Sequence, residues 1–317
     1  MPTYVIRYEH QGARRWGVVR DDHILPIPGT FESTGGFLRA VDPRDLANLD
    51  GDPIAKVDVN VRSPVTRNQQ FVCQGANYRQ HMIESGVDPN SKTFNMIFTK
   101  ASSCIVAADS PVVRPKQVAY LDYELELGLI IGRPITGPLE ITRATLHEFV
   151  AGIVIVNDYS ARDIQIPQMQ FYKGKSFRTF GPVGPYLCLL EADEVDALHE
   201  LDLTLTVNGE VRQHDNTRNL VYAPAETLTE LSGLQDFAVG DLLATGTPAG
   251  CALSIPSPFI QRLAGLLPEA LKWRLFLNAQ ARRSQYLKPG DVVEASIRSP
   301  DGRIDLGTQR NVIEAAP

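Results

Sequence analysis

Only four of the 317 residues are cysteines, Cys73, Cys104, Cys188 and Cys251, and no two stand close enough to form a zinc knuckle or a C-x-x-C redox pair. That excludes a disulfide scaffold and leaves free, mostly buried thiols in a reducing compartment. Long apolar runs are missing too. No stretch reaches membrane-spanning length, and the opening Met1-Pro2-Thr3-Tyr4-Val5-Ile6-Arg7 lacks the apolar run of a secretory signal. The expectation is a cytoplasmic protein with no membrane partner. A basic excess is equally absent. The formal net charge is −6, with no block of Lys and Arg, which excludes a general nucleic-acid or membrane-surface binder. An anionic substrate must therefore be met by a local group of cations. There is no internal repeat, no low-complexity tract and no G-x-x-x-x-G-K-[ST] phosphate loop.

What is present is an ordinary globular composition, 43% hydrophobic and 21% charged, in a chain long enough for one large domain or a large and a small one. Its most informative stretch is Leu121-Asp122-Tyr123-Glu124-Leu125-Glu126-Leu127-Gly128-Leu129-Ile130-Ile131-Gly132. The alternation has the period of a strand, with Tyr123, Leu125, Leu127 and Leu129 on one face and Asp122, Glu124 and Glu126 on the other. Carboxylates in a row repel one another unless something positive sits among them. A hard divalent cation with oxygen ligands fits, since glutamates at i and i+2 on one face can reach the same ion. A solvated acidic strand face fits the pattern as well.

Along the chain, residues 3 to about 28 read as a short antiparallel meander, and 37 to 49 as helical pieces. The proline-punctuated run Arg62 to Asn68 marks a boundary between a small N-terminal β domain (1–66) and a larger one (67–317). After the strand Phe71-Val72-Cys73, Asn77 as N-cap and Gly86 as C′ residue frame a two-turn helix. His81 and Glu84 share one face of it, as a general-base pair or as a surface ion pair. The β-branched run Val150 to Val156 reads as a buried strand ending at Asp158, which is a site residue or the N-cap of a turn. Leu203 to Arg212 contains an Asn-Gly hairpin. Val239-Gly240-Asp241 and Pro289-Gly290-Asp291 open two further strands with one grammar, and Thr245-Gly246-Thr247-Pro248 allows close approach to a ligand. The fold class is mostly β (α+β).

Six motifs in order then carry a resemblance. They are Gly75-x-Asn77-Tyr78-x-x-His81-x-x-Glu84, Asp122-Tyr123-Glu124-x-Glu126-Leu127, Asn157-Asp158-x-Ser160-Ala161-Arg162-Asp163-x-Gln165, Gly174-Lys175-Ser176-Phe177, Val207-Asn208-Gly209-Glu210 and Thr245-Gly246-Thr247-Pro248. Together, over roughly residues 70 to 312, they resemble the fumarylacetoacetate hydrolase family. The resemblance implies a mixed β-roll around one Mg²⁺ or Mn²⁺, in some members Ca²⁺, and a homodimer. It assigns Glu124, Glu126 and Asp158 as metal ligands, and His81 and Glu84 as a water-activating pair on a lid. Lys175 becomes catalytic, Arg162, Gln165, Tyr78 and Thr247 substrate-binding, and Asp122 a support behind the ligands. The chain departs from the pattern at Gln80 and Arg178, where Asp is common. About forty residues, Cys251 to Lys288, replace a short loop; Pro268 to Arg283 within them reads as a helix, with Leu267, Leu271 and Leu275 expected to dock.

The implied activity is divalent-metal-dependent hydrolysis of a C–C bond in a 2,4-dioxo acid of acylpyruvate or fumarylpyruvate type, in aromatic catabolism. The partner is an anionic keto acid. A decarboxylase of oxaloacetate-like acids or a 2-hydroxydienoate isomerase is the alternative within the family. A catalytically idle metal-binding protein is the alternative outside it, and Lys175 with the His81 and Glu84 pair stands against that.

Overall fold

The computed structural model describes residues 2–317; Met1, the first residue of the expected N-terminal domain, lies outside the described residues. The β-branched run forms the strand Val150–Asn157, buried almost throughout because it runs between two neighbours and under cover on both faces. It pairs antiparallel with Leu125–Ile131 on one side and Leu187–Leu189 on the other. Outward from Leu125–Ile131 the same sheet continues through Leu242–Ala244, Phe71–Gly75 and Met96–Thr99. In the other direction it continues through Thr3–His10, Ala13–Arg20, His23–Pro26 and Ile54–Ala55. Parallel and antiparallel pairs both occur, and the mostly β class expected from the sequence is the one found.

The N-terminal strands thus extend the main sheet, with Thr3 opposite Leu189 and Val5 opposite Leu187. Phe37, Leu46 and Val65 share a core with Phe71, Val154 and Leu242. Backbone pairing and apolar packing both join residues 1–66 to the rest.

A second sheet runs Glu210–Asn216, Asp202–Val207, Val292–Arg298, Asp305–Ala315 and Val112–Arg114. Its inward residues Leu203, Leu205, Ala295 and Ile297 meet Leu125, Leu127 and Leu129 in the main core. Side chains alternate along Leu125–Ile131, so Glu126, Gly128 and Ile130 point the opposite way. Gly128 admits no side chain there, since a Cβ would lie 2.7 Å from methyls of Val154 and Val156.

The hairpin turn is Asn208-Gly209, both at positive φ, as the expected primed turn requires. The two Gly-Asp strand starts share a geometry as well as a grammar. Gly240 and Gly290 have φ of 94° and 96°. The carboxylates of Asp241 and Asp291 each accept from the backbone N–H three residues before, Ala238 and Lys288.

Three expectations need correction. The stretch from Leu121 is not one strand: Leu121–Asp122 pairs with Ser160–Ala161, and regular pairing resumes at Leu125. The Glu124 N–H donates to the Asn157 side chain at 3.0 Å, which diverts it from the ladder. Asn77 does not cap the helix Arg79–Glu84, for Tyr78 holds that position. Asn77 instead ties two loops, donating to the Tyr222 and Thr245 carbonyls and accepting from the Tyr222 N–H. The insertion does form a helix, Glu269–Gln280, after a shorter one, Pro258–Ala264. It is tied down at its C-terminal end, where Gln280 is buried and Tyr120 Oη donates to the Leu277 carbonyl. Of the three leucines expected to dock, Leu267 and Leu271 are half-buried and Leu275 is 50% exposed.

Candidate active site

The break at Tyr123 brings acids from two segments to one place. Glu124 and Glu126 flank the start of Leu125–Ile131, and Asp158 follows Val150–Asn157, hydrogen-bonded through its N–H to the Glu124 carbonyl at 2.8 Å. One carboxylate oxygen from each of the three lies within 4.8 Å of the others, and all three side chains are buried. The acidic face is therefore interior. The solvated alternative does not apply.

Cations enclose this group. Lys175 Nζ contacts Glu124 Oε2 at 2.5 Å, Asp158 Oδ2 at 2.5 Å and Ser160 Oγ at 2.8 Å. Arg162 donates to Asp122 Oδ2 at 2.8 Å, to Gln165 Oε1 at 2.8 Å and to Glu124. Lys100, which sequence reasoning missed, sits 2.5 Å from Asp158 Oδ1 and 2.7 Å from the Phe180 carbonyl. Its one sequence signal was its place directly after the apolar strand Met96–Thr99, the same strand-end logic that singled out Asp158.

Asp122 does not face the group. Its two oxygens accept from Arg162 and from the N–H groups of Tyr123, Ala252 and Leu253. It anchors the arginine and the start of the insertion, as its expected supporting place implies.

Burial opposes ionisation of Glu124, yet Arg162 and Lys175 outweigh it and hold its carboxyl well below the ordinary range. Glu126 goes the other way. Burial raises it, and Asp158 and Glu124 raise it further, with only Lys175 and the Gly246 N–H pulling back. Burial also works against the charged forms of Lys100 and Lys175, but Asp158 is the largest opposing influence on each and both stay raised. Among the described residues Glu126 has no ion-pair partner, and four buried acids face three buried bases. With all four acids ionised, as a bound cation requires, one negative charge is left uncompensated. A divalent cation among Glu124, Glu126 and Asp158 supplies the missing charge, so the donor set fits such an ion.

Around the cluster is a cavity of about 210 Å³, lined in part by Gln74, His81, Glu124, Glu126, Arg162, Gln165, Lys175 and Thr247. A larger surface cavity of about 550 Å³, lined by Arg143, Asp196 and Asp301, contains none of these groups and lacks the convergent polar chemistry. His81 enters the small cavity from the short helix, its Nδ1 buried without a hydrogen-bond partner. Burial lowers its pKa, with Glu124 pulling upward, so the ring is neutral at neutral pH. Together with Glu124 and Cys251 it also forms a second group of atoms at ligand spacing.

Glu84, expected to hold His81, is exposed and accepts instead from the Gly250 N–H at 3.4 Å, with no hydrogen bond to the ring among the described residues. The loop after Pro248 captures the carboxylate. Tyr78 is wholly buried in the main core and does not line the cavity. Thr247 does line it, its hydroxyl donating to the Leu125 carbonyl and accepting from Gln213. Gly246, at φ 89°, turns its N–H onto Glu126 Oε2 at 2.9 Å, and a Cβ there would strike Asn77. The apolar wall of Met96, Phe98 and Phe171 had no sequence signal beyond ordinary core residues.

Residues 70–314 match the family model described as fumarylacetoacetate (FAA) hydrolase, C-terminal. A Burkholderia multivorans protein, provisionally named a hydrolase, is 34% identical over 266 residues, 80% of this chain and 90% of its own. The fumarylacetoacetate hydrolase of psychrophilic Exiguobacterium antarcticum superposes with a TM-score of 0.74 at 28% identity, covering 99% of this chain and all of its own. The 2-hydroxyhepta-2,4-diene-1,7-dioate isomerase of Mycobacterium marinum shares the fold, with a TM-score of 0.71 at 22% identity over 99% of this chain and 98% of its own.

Proposed function

This chain belongs to the fumarylacetoacetate hydrolase family, and on that premise we propose that it hydrolyses a C–C bond in a 2,4-dioxo acid of acylpyruvate type. A divalent cation held by Glu124, Glu126 and Asp158, Mg²⁺ or Mn²⁺, would supply Lewis-acid polarisation of a substrate carbonyl. The protein's own groups do the rest. The observation that carries the reading is His81, a neutral, half-buried imidazole whose buried Nδ1 has no partner at the cavity.

Such a ring can take a proton from water as the water oxygen bonds to the acyl carbonyl carbon. The bond between that carbon and the methylene then breaks, its electron pair passing to the pyruvate half as an enolate. His81 returns the proton to the methylene carbon, giving a carboxylic acid and pyruvate. Lys175, kept protonated by Asp158 and Glu124, stabilises the developing oxyanion. Arg162 holds Gln165 and Glu124 in place, and Gln165 offers its remaining amide to substrate oxygens.

The test is turnover of a panel of acylpyruvates with Mg²⁺ or Mn²⁺, with products identified by mass spectrometry. Release of the acid and pyruvate supports the reading, and an unchanged carbon skeleton defeats it. The isomerase or decarboxylase alternative needs no attacking water, and the turn of Glu84 toward Gly250 favours it. Retention of oxaloacetate decarboxylation or dienoate isomerisation in His81→Ala would select it.

The reading keeps a homodimer, to which exposed Phe259, Ile260 and Leu263 of the insertion offer apolar surface. It also keeps a cytoplasmic place in late aromatic catabolism. No helix among the described residues is long and apolar enough to cross a membrane.

A further inference from the structure

The cavity bordered by Glu124 and Glu126 of the carboxylate cluster is otherwise lined largely by apolar groups. Three separate segments supply the apolar part: Met96 and Phe98 from a strand, Ile166 and Phe171 beside the Lys175 helix, and Leu253 and Ile255 from the insertion. Phe98 joins the charged and apolar groups. Lys175 Nζ lies 5.1 Å from its ring centroid, and Phe171 packs against it at 5.2 Å.

The charges are as informative as the apolar groups. Among the described residues lining the cavity, the only permanent cations are Arg162 and Lys175. Both are already engaged by the protein's own groups. Arg162 donates from all three nitrogens, to Asp122, Gln165 and Glu124. Lys175 directs three contacts to Glu124, Asp158 and Ser160. Any anion-binding capacity is thus confined to where the acids and their cation sit. A second carboxylate lying along Phe98, Phe171 and Ile255 would lose its water and find no cation, which is strongly unfavourable. Apolar carbon in the same place gains from burial. The volume of about 210 Å³ is below the roughly 300–1,000 Å³ of drug-sized sites, so the ligand is small.

We infer that the site selects a 2,4-dioxo acid with one carboxylate only, its acyl end alkyl or aryl, and rejects acyl groups that carry a terminal carboxylate, such as fumaryl. This rests on the hydrolase reading for the chemistry but not for the selectivity. Leu253 and Ile255 make the insertion part of the specificity wall, so the replaced loop bears on substrate choice.

The test separates the two ideas by measuring binding apart from turnover. Calorimetric titration of the Mg²⁺-loaded protein compares 2-oxobutanoate, 2-oxopentanoate and 2-oxohexanoate with the dicarboxylates 2-oxoglutarate and 2-oxoadipate. Affinity is expected to rise about fourfold per added methylene until the cavity is filled. Each dicarboxylate should bind at least about tenfold more weakly than the monocarboxylate of the same chain length. Ile255→Arg, at a half-exposed position on the insertion, should narrow or reverse that gap by supplying the missing cation. A dicarboxylate that binds wild type as tightly as its monocarboxylate overturns the inference. Binding in the expected order without hydrolysis of any acylpyruvate overturns the hydrolase reading alone. Failure of every 2-oxo acid to bind overturns both.

Discussion

Lys100→Met offers the sharpest test of the charge arrangement. The Lys100 side chain is wholly buried, its ammonium 2.5 Å from Asp158 and 2.7 Å from the Phe180 carbonyl. Methionine keeps the unbranched stem, one atom shorter, and removes the charge. Breaking a buried pair from one side costs about 3–5 kcal/mol. Asp158 retains Lys175 at 2.5 Å, which points to the lower end, about 3 kcal/mol, with the orphaned carbonyl included. At roughly 2 °C per kcal/mol for a chain of this size, the melting temperature in chelator should fall by about 6 °C. The electrostatics of the cluster run the other way. With Glu126 ionised, the uncompensated negative charge grows from one to two without Lys100, so a divalent cation should bind the variant more tightly than wild type. Mg²⁺ at about a hundred times its Kd adds about 2.7 kcal/mol to native stability, enough to recover most of the deficit. Scanning calorimetry of both proteins, in EDTA and across a Mg²⁺ titration, reads both effects. A variant that melts within about a degree of wild type in EDTA refutes the first. A smaller Mg²⁺ stabilisation in the variant than in wild type refutes the charge accounting.

Other outcomes follow from the same geometry. His81→Ala should lower kcat about 10²–10⁴-fold with little change in binding of a substrate analogue, and near wild-type turnover would remove it from the mechanism. Because burial lowers the His81 pKa and the base acts in its neutral form, the acid limb of the wild-type rate profile should fall below the ordinary histidine value of 6.5; a limb above that value contradicts the assignment. Glu126, raised by burial and its acidic neighbours, should release a proton as Mg²⁺ binds, seen as a buffer-dependent enthalpy that Glu126→Gln abolishes along with the metal response. All four cysteines are buried, so native protein should react slowly with a thiol reagent and unfolded protein should expose four thiols; fast labelling of the native form would show that the core opens. In the insertion, amides near Leu277 and Gln280 should exchange more slowly than those of Pro258–Ala264, because only that end is tied to the body, through Tyr120, Ser254 and Tyr286; equal rates would contradict the one-ended anchor.

Several features were legible in the sequence because they depend on local patterns. The β-branched run at 150–156, the Asn208-Gly209 turn, the Gly-Asp strand starts and the positive-φ Gly86 follow from the stereochemistry of a few adjacent residues. The acidic alternation placed Glu124 and Glu126 on one side of a strand, since period two is a property of the backbone itself. Spacing also put His81 on a helix, though it could not decide whether Glu84 would hold the ring.

What the tertiary structure decided is which of those groups meet. Lys100, Asp158 and Lys175 come from three segments, and only sheet order and the Val150–Asn157 pairing bring their charges into one buried cluster. The same holds for Glu84, taken by the Gly250 N–H, for Asn77, spent on two loops, and for Leu253 and Ile255, which close an apolar wall from a segment more than eighty residues beyond Phe171. Sequence periodicity reports which face a residue occupies. Burial of charge depends on partners distant in sequence, and no local pattern contains them.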